Sequence, residues 1–473
     1  MRDLELAYSP AHEIAKAVRQ RKISPVEVVR NCLEHIEAVN PLLNCFCFIY
    51  PEEALDLAHE AERALMRGDN LGPLAGVPIA IKDFTPTKGK TTTLGSYALK
   101  DWVPDRDARI VEKLRAAGAI MVGKTMTSEF ALAGFTETPL WGPVRNPWNL
   151  ERGTGGSSGG AGAAVASGCV PLAEGCDMGG SIRIPSSFCG TTGIKPSFGR
   201  IPFDILPSQF DTFCHYGPLA RCVDDAALFL AATQGPDDAD VLTNPAPLDE
   251  AALLDLRPAA PRQFRVALST DLGYYAVDPE VEEKTRAAAV LLRGLGAIVE
   301  EVSIGWTREI NDAGWLHWCV YTALLAGEHV ERYGPQMKPF VVQSIERGQR
   351  ASALDLKRVE IVRTEAWKKI RPIFERFDVL ICPTTAVPAP PLGTTDMDWG
   401  YEDGEGRYVQ FEMTFPFNMV SPLPALSIRS GFTQSGLPTG LQIVAGRFDD
   451  LMALRVGKLL ESELGLWSRR PEL

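Results

Sequence analysis

The chain has 473 residues, 45% of them apolar and 23% charged, with a formal net charge of -12; that is enough for one large core or two in an ordinary globular protein, and the acidic balance argues against a nucleic-acid partner. No uninterrupted apolar run reaches the roughly 18 residues of a membrane span, so no membrane partner is expected. Residues 1–16 mix acidic, polar and apolar side chains instead of placing a basic region before an apolar one, which argues against a secretory signal and leaves a soluble, cytoplasmic protein as the expectation.

The first convincing helix begins at Ser24. Ser24 can cap it, Pro25 fits the first helical position and Glu27 completes a capping box; Val29, Leu33 and Ile36 recur at helical spacing, and Pro41 stops it. Cys45 and Cys47 are two apart, which on a strand places both on one face. Asp107 precedes a helix presenting Ile110, Leu114 and Ala117; Gly118 ends it and 119–122 reads as a short buried strand. The Gly-rich stretch 153–180 is interrupted by apolar runs such as 163–166 and is no flexible linker. The acidic, Pro- and Ala-rich stretch 235–262 reads as a surface connection, with a subdomain boundary as the other option. Asp278 and Pro279 start a helix that ends near Gly296 and is followed by a strand at 297–302; 377–382 is another apolar strand closed by Pro383, and 396–407 is a polar loop containing Trp399 and Tyr401. Alternating helices and buried strands imply an α/β architecture with helices covering a sheet, and no 20–50-residue repeat is present. The ten cysteines, among them Cys32, Cys169, Cys189 and Cys382, form no CxxC pair and are expected to be buried reduced thiols.

Three segments carry chemistry: Val77-Pro-Ile-Ala-Ile-Lys-Asp83, Gly155-Gly-Ser-Ser-Gly-Gly160 and Asp177-Met-Gly-Gly-Ser-Ile-Arg-Ile-Pro185. Each has a bland reading when taken alone: a solvated lysine, a Gly/Ser turn, and a tight turn entering a helix at Pro185. The letters around Ser157 also satisfy G-x-S-x-G, the nucleophile elbow, but that elbow needs a buried strand directly before it and a histidine base. Residues 146–152 are polar and contain Pro147, and only His215, His317 and His329 lie downstream, so the elbow is rejected. Neither Gly run is followed by the Lys-Ser/Thr pair of a P-loop, and Rossmann spacing is absent, so no nucleotide site is expected. No cluster with metal-ligand spacing and no cofactor motif is present, and neither a metal nor a cofactor is expected.

Taken together, the three segments resemble the amidase signature family. The resemblance continues through Cys189-Gly190, residues 193–196 and residues 217–221, and returns at 436–444, so it covers most of the chain. It implies a mixed central β-sheet covered by helices on both faces. It also implies one amidase domain over 1–473 with a catalytic core at about 75–225, leaving 235–262 and 396–407 as surface loops or subdomain connections. Lys82, Ser157 and Ser181 fall on the family's relay positions, with the family's separation between the serines and a cis peptide before Ser157. The resemblance makes Ser181 the nucleophile. A serine hydroxyl needs a base, and with no histidine near these segments Lys82 is the available one, relieved of its proton through burial beside Val77, Ile79 and Ile81. Ser157 passes the proton between them. Backbone N–H groups of Met178, Gly179, Gly180 and Ser181 are implied as the oxyanion hole, with Ser158, Asp177 and Arg183 supporting; Asp177 and Arg183 bracket the turn and are expected to hold it by a salt bridge or hydrogen bonds. Met178 departs from the Thr, Ile or Ala more usual in the family, which changes shape more than mechanism because the donors are backbone. His215 reads as a satisfied structural histidine, with a substrate contact as the other option.

The implied activity is hydrolysis of a small-molecule carboxamide to a carboxylate and ammonia or an amine through an acyl-enzyme. The same chemistry serves the glutamine-hydrolysing subunit of a tRNA-dependent amidotransferase and hydrolases of urea derivatives of the biuret or allophanate type. Trp141, Trp315, Trp318, Tyr321, Trp399 and Tyr401 are candidates for the substrate-pocket wall. A homodimer is a family habit that nothing in the sequence locates.

Overall fold

The computed structural model describes residues 3–260, 264–466 and 468–473. Along the chain run α1 (Pro25–Leu43), β1 (Phe46–Ile49), α2 (Pro51–Arg67), β2 (Pro78–Lys82), α3 (Arg109–Ala116), β3 (Ile120–Thr125), α4 (Gly159–Ala166), β4 (Leu172–Asp177) and α5 (Arg183–Cys189). These are followed by β5 (Thr192–Lys195), β6 (His215–Ala220), α6 (Val223–Thr233), β7 (Arg265–Leu268), α7 (Pro279–Leu295), β8 (Ile298–Glu301) and α8 (Glu309–Ala326). The last elements used below are α9 (Pro339–Arg350), α10 (Ala353–Phe374), β9 (Val379–Pro383), β10 (Ala425–Phe432), β11 (Pro438–Ala445) and α11 (Asp450–Leu464).

The strands form one 11-stranded sheet in the order β1-β3-β2-β4-β6-β5-β10-β11-β9-β7-β8. Strands β3, β2 and β4 are mutually parallel, as are β9, β7 and β8, and the strands between these two blocks pair antiparallel. Every residue of β2, β4, β9 and β11 is buried. A strand buried at successive positions must be covered on both faces, so the sheet is the middle layer of a helix–sheet–helix sandwich. The edge strand β8 is partly exposed, and its Glu300 and Glu301 are engaged by Arg265, Arg376 and Arg286; charges on an edge discourage pairing with another chain.

Local signals placed the helix starts well. Ser24 accepts from the Val26 N–H and donates to Glu62 without the capping box expected from Glu27, and Asp278 accepts from the Glu280 N–H. The end of α1 differs from expectation: Pro41 lies inside it, and the helix closes at Asn44 in the left-handed conformation (φ 54°). A proline in the last turn removes one hydrogen bond only, while the Asn40 side chain collects the Cys45 and Phe46 N–H groups that follow. The stretch 235–262 is more than a connection. It carries a helical turn (Glu250–Leu254) and buries Leu253 and Leu256; its end at 261–262 lies outside the described residues. The loop 396–407 reaches inward, with Asp396 accepting from the Gly134 N–H at 2.7 Å.

Two features of this fold place the site. Strands β2 and β4 are parallel neighbours in the register Ile79 to Leu172 and Ala80 to Ala173, so Lys82 and the Asp177 turn emerge at one edge of the sheet. Outside the carboxyl ends of parallel strands is where open α/β sheets usually hold their ligands. The second feature is α4, made only of Gly, Ala and Val and wholly buried. A Cβ on Gly160 would stand 2.5 Å from Met126 N and 2.6 Å from Cys45 O, so only glycine lets this helix approach the β3 end and seat Ser157 beside β2. Gly160→Ala is therefore expected to cost about 1–3 kcal/mol in urea unfolding and to lower hydrolytic activity of the fraction that stays folded.

Candidate active site

Lys82 ends β2 with no solvent exposure. Its backbone N–H donates to Glu174 Oε2 (2.9 Å), and its Nζ donates to Ser157 Oγ (2.6 Å) and to Cys176 Sγ (3.2 Å). Burial, helped by the neighbouring Cys176 sulfur, pushes the Glu174 carboxyl up to about 7. Ser157 precedes α4, and the Gly156–Ser157 peptide is cis, as the resemblance implies. Its carbonyl accepts from the Ser128 N–H and from Thr136 Oγ1, each at 3.3 Å. A side chain on Gly156 would collide with Ala133 O and Phe135 N, so the 133–135 strand of chain lies directly over this turn.

Ser181 closes a turn organised by Asp177. One oxygen of that buried carboxylate accepts from the Gly180 N–H (2.9 Å) and from Arg183 Nη2 (2.8 Å), and the other from the Ile182 N–H (3.2 Å) and Arg183 Nε (3.0 Å). The expected ion pair between Asp177 and Arg183 is thus present, with both side chains at 0% exposure. Arg183 is held in turn by Gln442 Oε1, Asn418 Oδ1 (2.6 Å each) and Thr414 O (2.9 Å). Gly180 has φ 131°, and a Cβ there would collide with Thr414, whose hydroxyl donates to Gly179 O at 2.7 Å. Ser158 ties the two serine segments together: its N–H donates to Ser181 O at 3.2 Å. Of the four implied oxyanion donors, Gly180 spends its N–H on Asp177, whereas Met178, Gly179 and Ser181 have no N–H partner among the described residues.

Ser157 and Ser181 open onto one small cavity, walled by Phe84, Phe130, Met178, Leu206, Trp318 and Leu325. Of the six aromatic residues singled out from sequence, Trp318 and Tyr321 line it. The other four pack elsewhere: Trp141 donates to Thr93 Oγ1 (3.2 Å), Trp315 stacks on Phe340, Trp399 meets Phe411 edge-on and Tyr401 is exposed on a two-stranded ribbon. His215 is buried with Nδ1 against Asp177 O at 3.3 Å, but its Nε2 has no hydrogen-bond partner among the described residues, unlike the satisfied histidine expected; burial and the nearby Lys195 hold its ring well below the usual histidine range. The strand before Ser157, Asn149–Gly153, lies outside the central sheet, pairing with 145–146 and bridging Pro391, which agrees with rejecting the elbow. Sequence reading missed Cys176 and the Thr414–Asn418–Gln442 clamp. Asn418 and Gln442 lie 241 and 259 residues from their partners, and only Gln442 fell within a stretch already noticed. The one grouping of three potential metal ligands among the described residues is His12, Cys222 and Asp225, and its carboxylate already accepts the Ala11 and His12 N–H groups.

The amidase family model matches residues 27–454. The chain is 35% identical to an acylamidase of Rhodococcus erythropolis over 98% of its own length and 97% of the relative's. It is also 35% identical to a glutamyl-tRNA(Gln) amidotransferase subunit from Moorella thermoacetica, over 99% of both chains. Among solved structures, a bacterial aryl acylamidase of the amidase signature enzymes superposes with a TM-score of 0.91 at 30% identity, covering 98% of this chain and 99% of that one. The chain therefore belongs to the amidase family, and its reaction is hydrolysis of a carbon–nitrogen amide bond.

The Asp177 network makes a stability prediction. Burial alone would raise the Asp177 carboxyl, but the charge and hydrogen bonds of Arg183, with Asn418, outweigh it and hold the group well below the usual carboxylate range. A depressed carboxylate contributes stability that is complete above its unfolded value, about 3.9, and is lost as pH falls toward its folded value. Asp177→Asn leaves the Arg183 charge buried without its counterion and is expected to cost about 3–5 kcal/mol. In urea unfolding, that deficit should be constant from pH 7 to about pH 5 and shrink only below about pH 4.

Proposed function

We propose that the chain is an acyl-transferring serine amidase in which Ser181, Ser157 and Lys82 form the proton relay. The observation that carries this reading is the contact of 2.6 Å between a fully buried lysine Nζ and Ser157 Oγ, at the cavity onto which Ser181 also opens. Ser181 Oγ attacks the amide carbon while its proton passes to Ser157 Oγ and the Ser157 proton passes to Lys82 Nζ. The oxyanion lies against the N–H groups of Met178, Gly179 and Ser181. Lys82 returns the proton through Ser157 to the leaving nitrogen, which departs as ammonia or an amine. The resulting Ser181 ester is cleaved by water along the same route. We read 1–473 as one amidase domain because a single sheet runs from Phe46 to Ala445. The ten cysteines are all free thiols, which suits a reducing compartment and supports the cytoplasm as the place of action.

The preferred substrate is a neutral carboxamide with an apolar or aromatic group, since Phe84, Phe130, Leu206, Trp318 and Leu325 surround the serines. Glutamine hydrolysis within an amidotransferase is the second reading, favoured by the similarity to the Moorella protein. It ranks lower because the cavity residues include no charged side chain to meet the ammonium and carboxylate of glutamine. An amide panel assayed for ammonia or amine release, spanning anilides, aliphatic amides, biuret and glutamine, separates these: turnover of glutamine above every neutral amide would overturn the preferred reading. On the best substrate, Ser181→Ala should abolish turnover, and Lys82→Ala should lower kcat by about 10²–10⁴-fold. Trp318→Ala should raise KM for aromatic amides more than for acetamide while leaving kcat for acetamide within about threefold.

A further inference from the structure

Cys176 was expected to be one of several inert core thiols, and its surroundings say otherwise. It lies in β4, one residue before the Asp177 turn, is 3% exposed and borders the cavity with Ser157 and Ser181. Its sulfur accepts from Lys82 Nζ at 3.2 Å. Among the described residues, Ser157 Oγ and Cys176 Sγ are the two hydrogen-bond partners of that nitrogen; the Phe84 ring, 5.8 Å away, is the other neighbouring group.

A relay lysine must present its lone pair to Ser157. A neutral amine has two N–H groups and one lone pair, and rotation about the last carbon–nitrogen bond would sweep that lone pair away from Ser157. An acceptor fixed elsewhere on the nitrogen holds one N–H and so aims what remains. We propose that Cys176 is a positioning residue of the relay, its sulfur holding Lys82 Nζ in line with Ser157; this rests on the relay reading above.

Tyr216 is the cross-strand partner of Cys176, and Cys214, two residues before Tyr216, borders the same cavity. The ionisable groups facing the sulfur are Lys82 from β2, Glu174 and Asp177 from β4 itself, and Cys214 and Tyr216 from the β6 side. As Lys82 gains a proton, a soft, polarizable acceptor is already in place beside it.

The test reads how reactive Ser181 is without needing the natural substrate: the rate of labelling by an alkyl fluorophosphonate, followed by intact-protein mass across pH. Cys176→Val fills the site without an acceptor, Cys176→Ala empties it, and Cys176→Ser restores an acceptor. Valine and alanine should slow labelling by roughly 10–100-fold and displace the acidic limb of its pH profile, while serine returns the rate to within about fivefold of wild type. Thermal unfolding of each variant checks folding, and a variant that does not fold yields to the serine and wild-type comparison, where a serine rate as slow as that of folded valine or alanine overturns the proposal. Lys82→Ala and Ser181→Ala separate the two readings. If Lys82→Ala labels at the wild-type rate, the relay itself is wrong. If Lys82→Ala and Ser181→Ala are unreactive while Cys176→Val keeps the wild-type rate and pH profile, the relay stands and the role of Cys176 is overturned.

Discussion

A carboxylate taken wholly out of water must be met by donors, and the Asp177 turn is built around that requirement. Its two oxygens collect backbone N–H groups of Gly180 and Ile182, the Arg183 guanidinium and the Asn418 amide. Each bond fixes a part of the turn that carries Ser181. The guanidinium adds a second charge that must also be satisfied, and it draws on Thr414 and Gln442 from the far end of the chain. The arrangement therefore binds the C-terminal strand β11 to the segment that bears Ser181. Leaving either charge without the other would be far more costly than never having buried them.

The same region holds other groups whose charge is costly in the interior. Burial, together with the Arg183 charge, brings Lys195 down to about 7, and its amine is surrounded by the carbonyls of Pro196, Ser421 and Leu423. His215 is neutral beside it. Lys82 is different in kind: its nitrogen meets a hydroxyl and a thiol, two groups that can themselves exchange protons. That contrast sets the proposed base apart from the buried lysines whose partners are backbone carbonyls or fixed hydroxyls.

Chemistry and specificity come from separable parts of the fold. Lys82, Cys176 and the two serines stand at the ends of β2 and β4 and at the start of α4, where glycines such as Gly156 and Gly160 allow close backbone approach. Part of the cavity wall comes from elsewhere, from Leu206 and Cys214 and from Trp318 to Leu325 of α8. Side chains supplied by a helix and a loop outside the sheet can change without disturbing the proposed proton path. Related chains acting on different amides are consistent with such a division.

Much of this was legible in the residues themselves, because the information was local. Capping residues at Ser24 and Asp278 announced helices with little ambiguity, and the glycines around Ser157 and Ser181 marked tight turns whatever lay around them. The order of lysine, serine and serine in three short segments matched the amidase signature family, and that resemblance implied amide hydrolysis without a histidine. Where a partner lay far along the chain, local pattern could not help. Pro41 looked like a helix stop because its cost is local, while the Asn40 contacts that carry the chain past it are not a periodic signal. Trp141 and Trp399 resembled pocket walls as much as Trp318 did, and only packing separated them. Cys176 looked like any buried thiol until β2 and β4 paired and set its sulfur against an amine 94 residues away. By itself, then, the sequence determined which groups were available and the class of reaction they suit. The tertiary structure alone decided which groups touch, because contact between distant residues depends on strand register and close packing, which no short stretch of residues records.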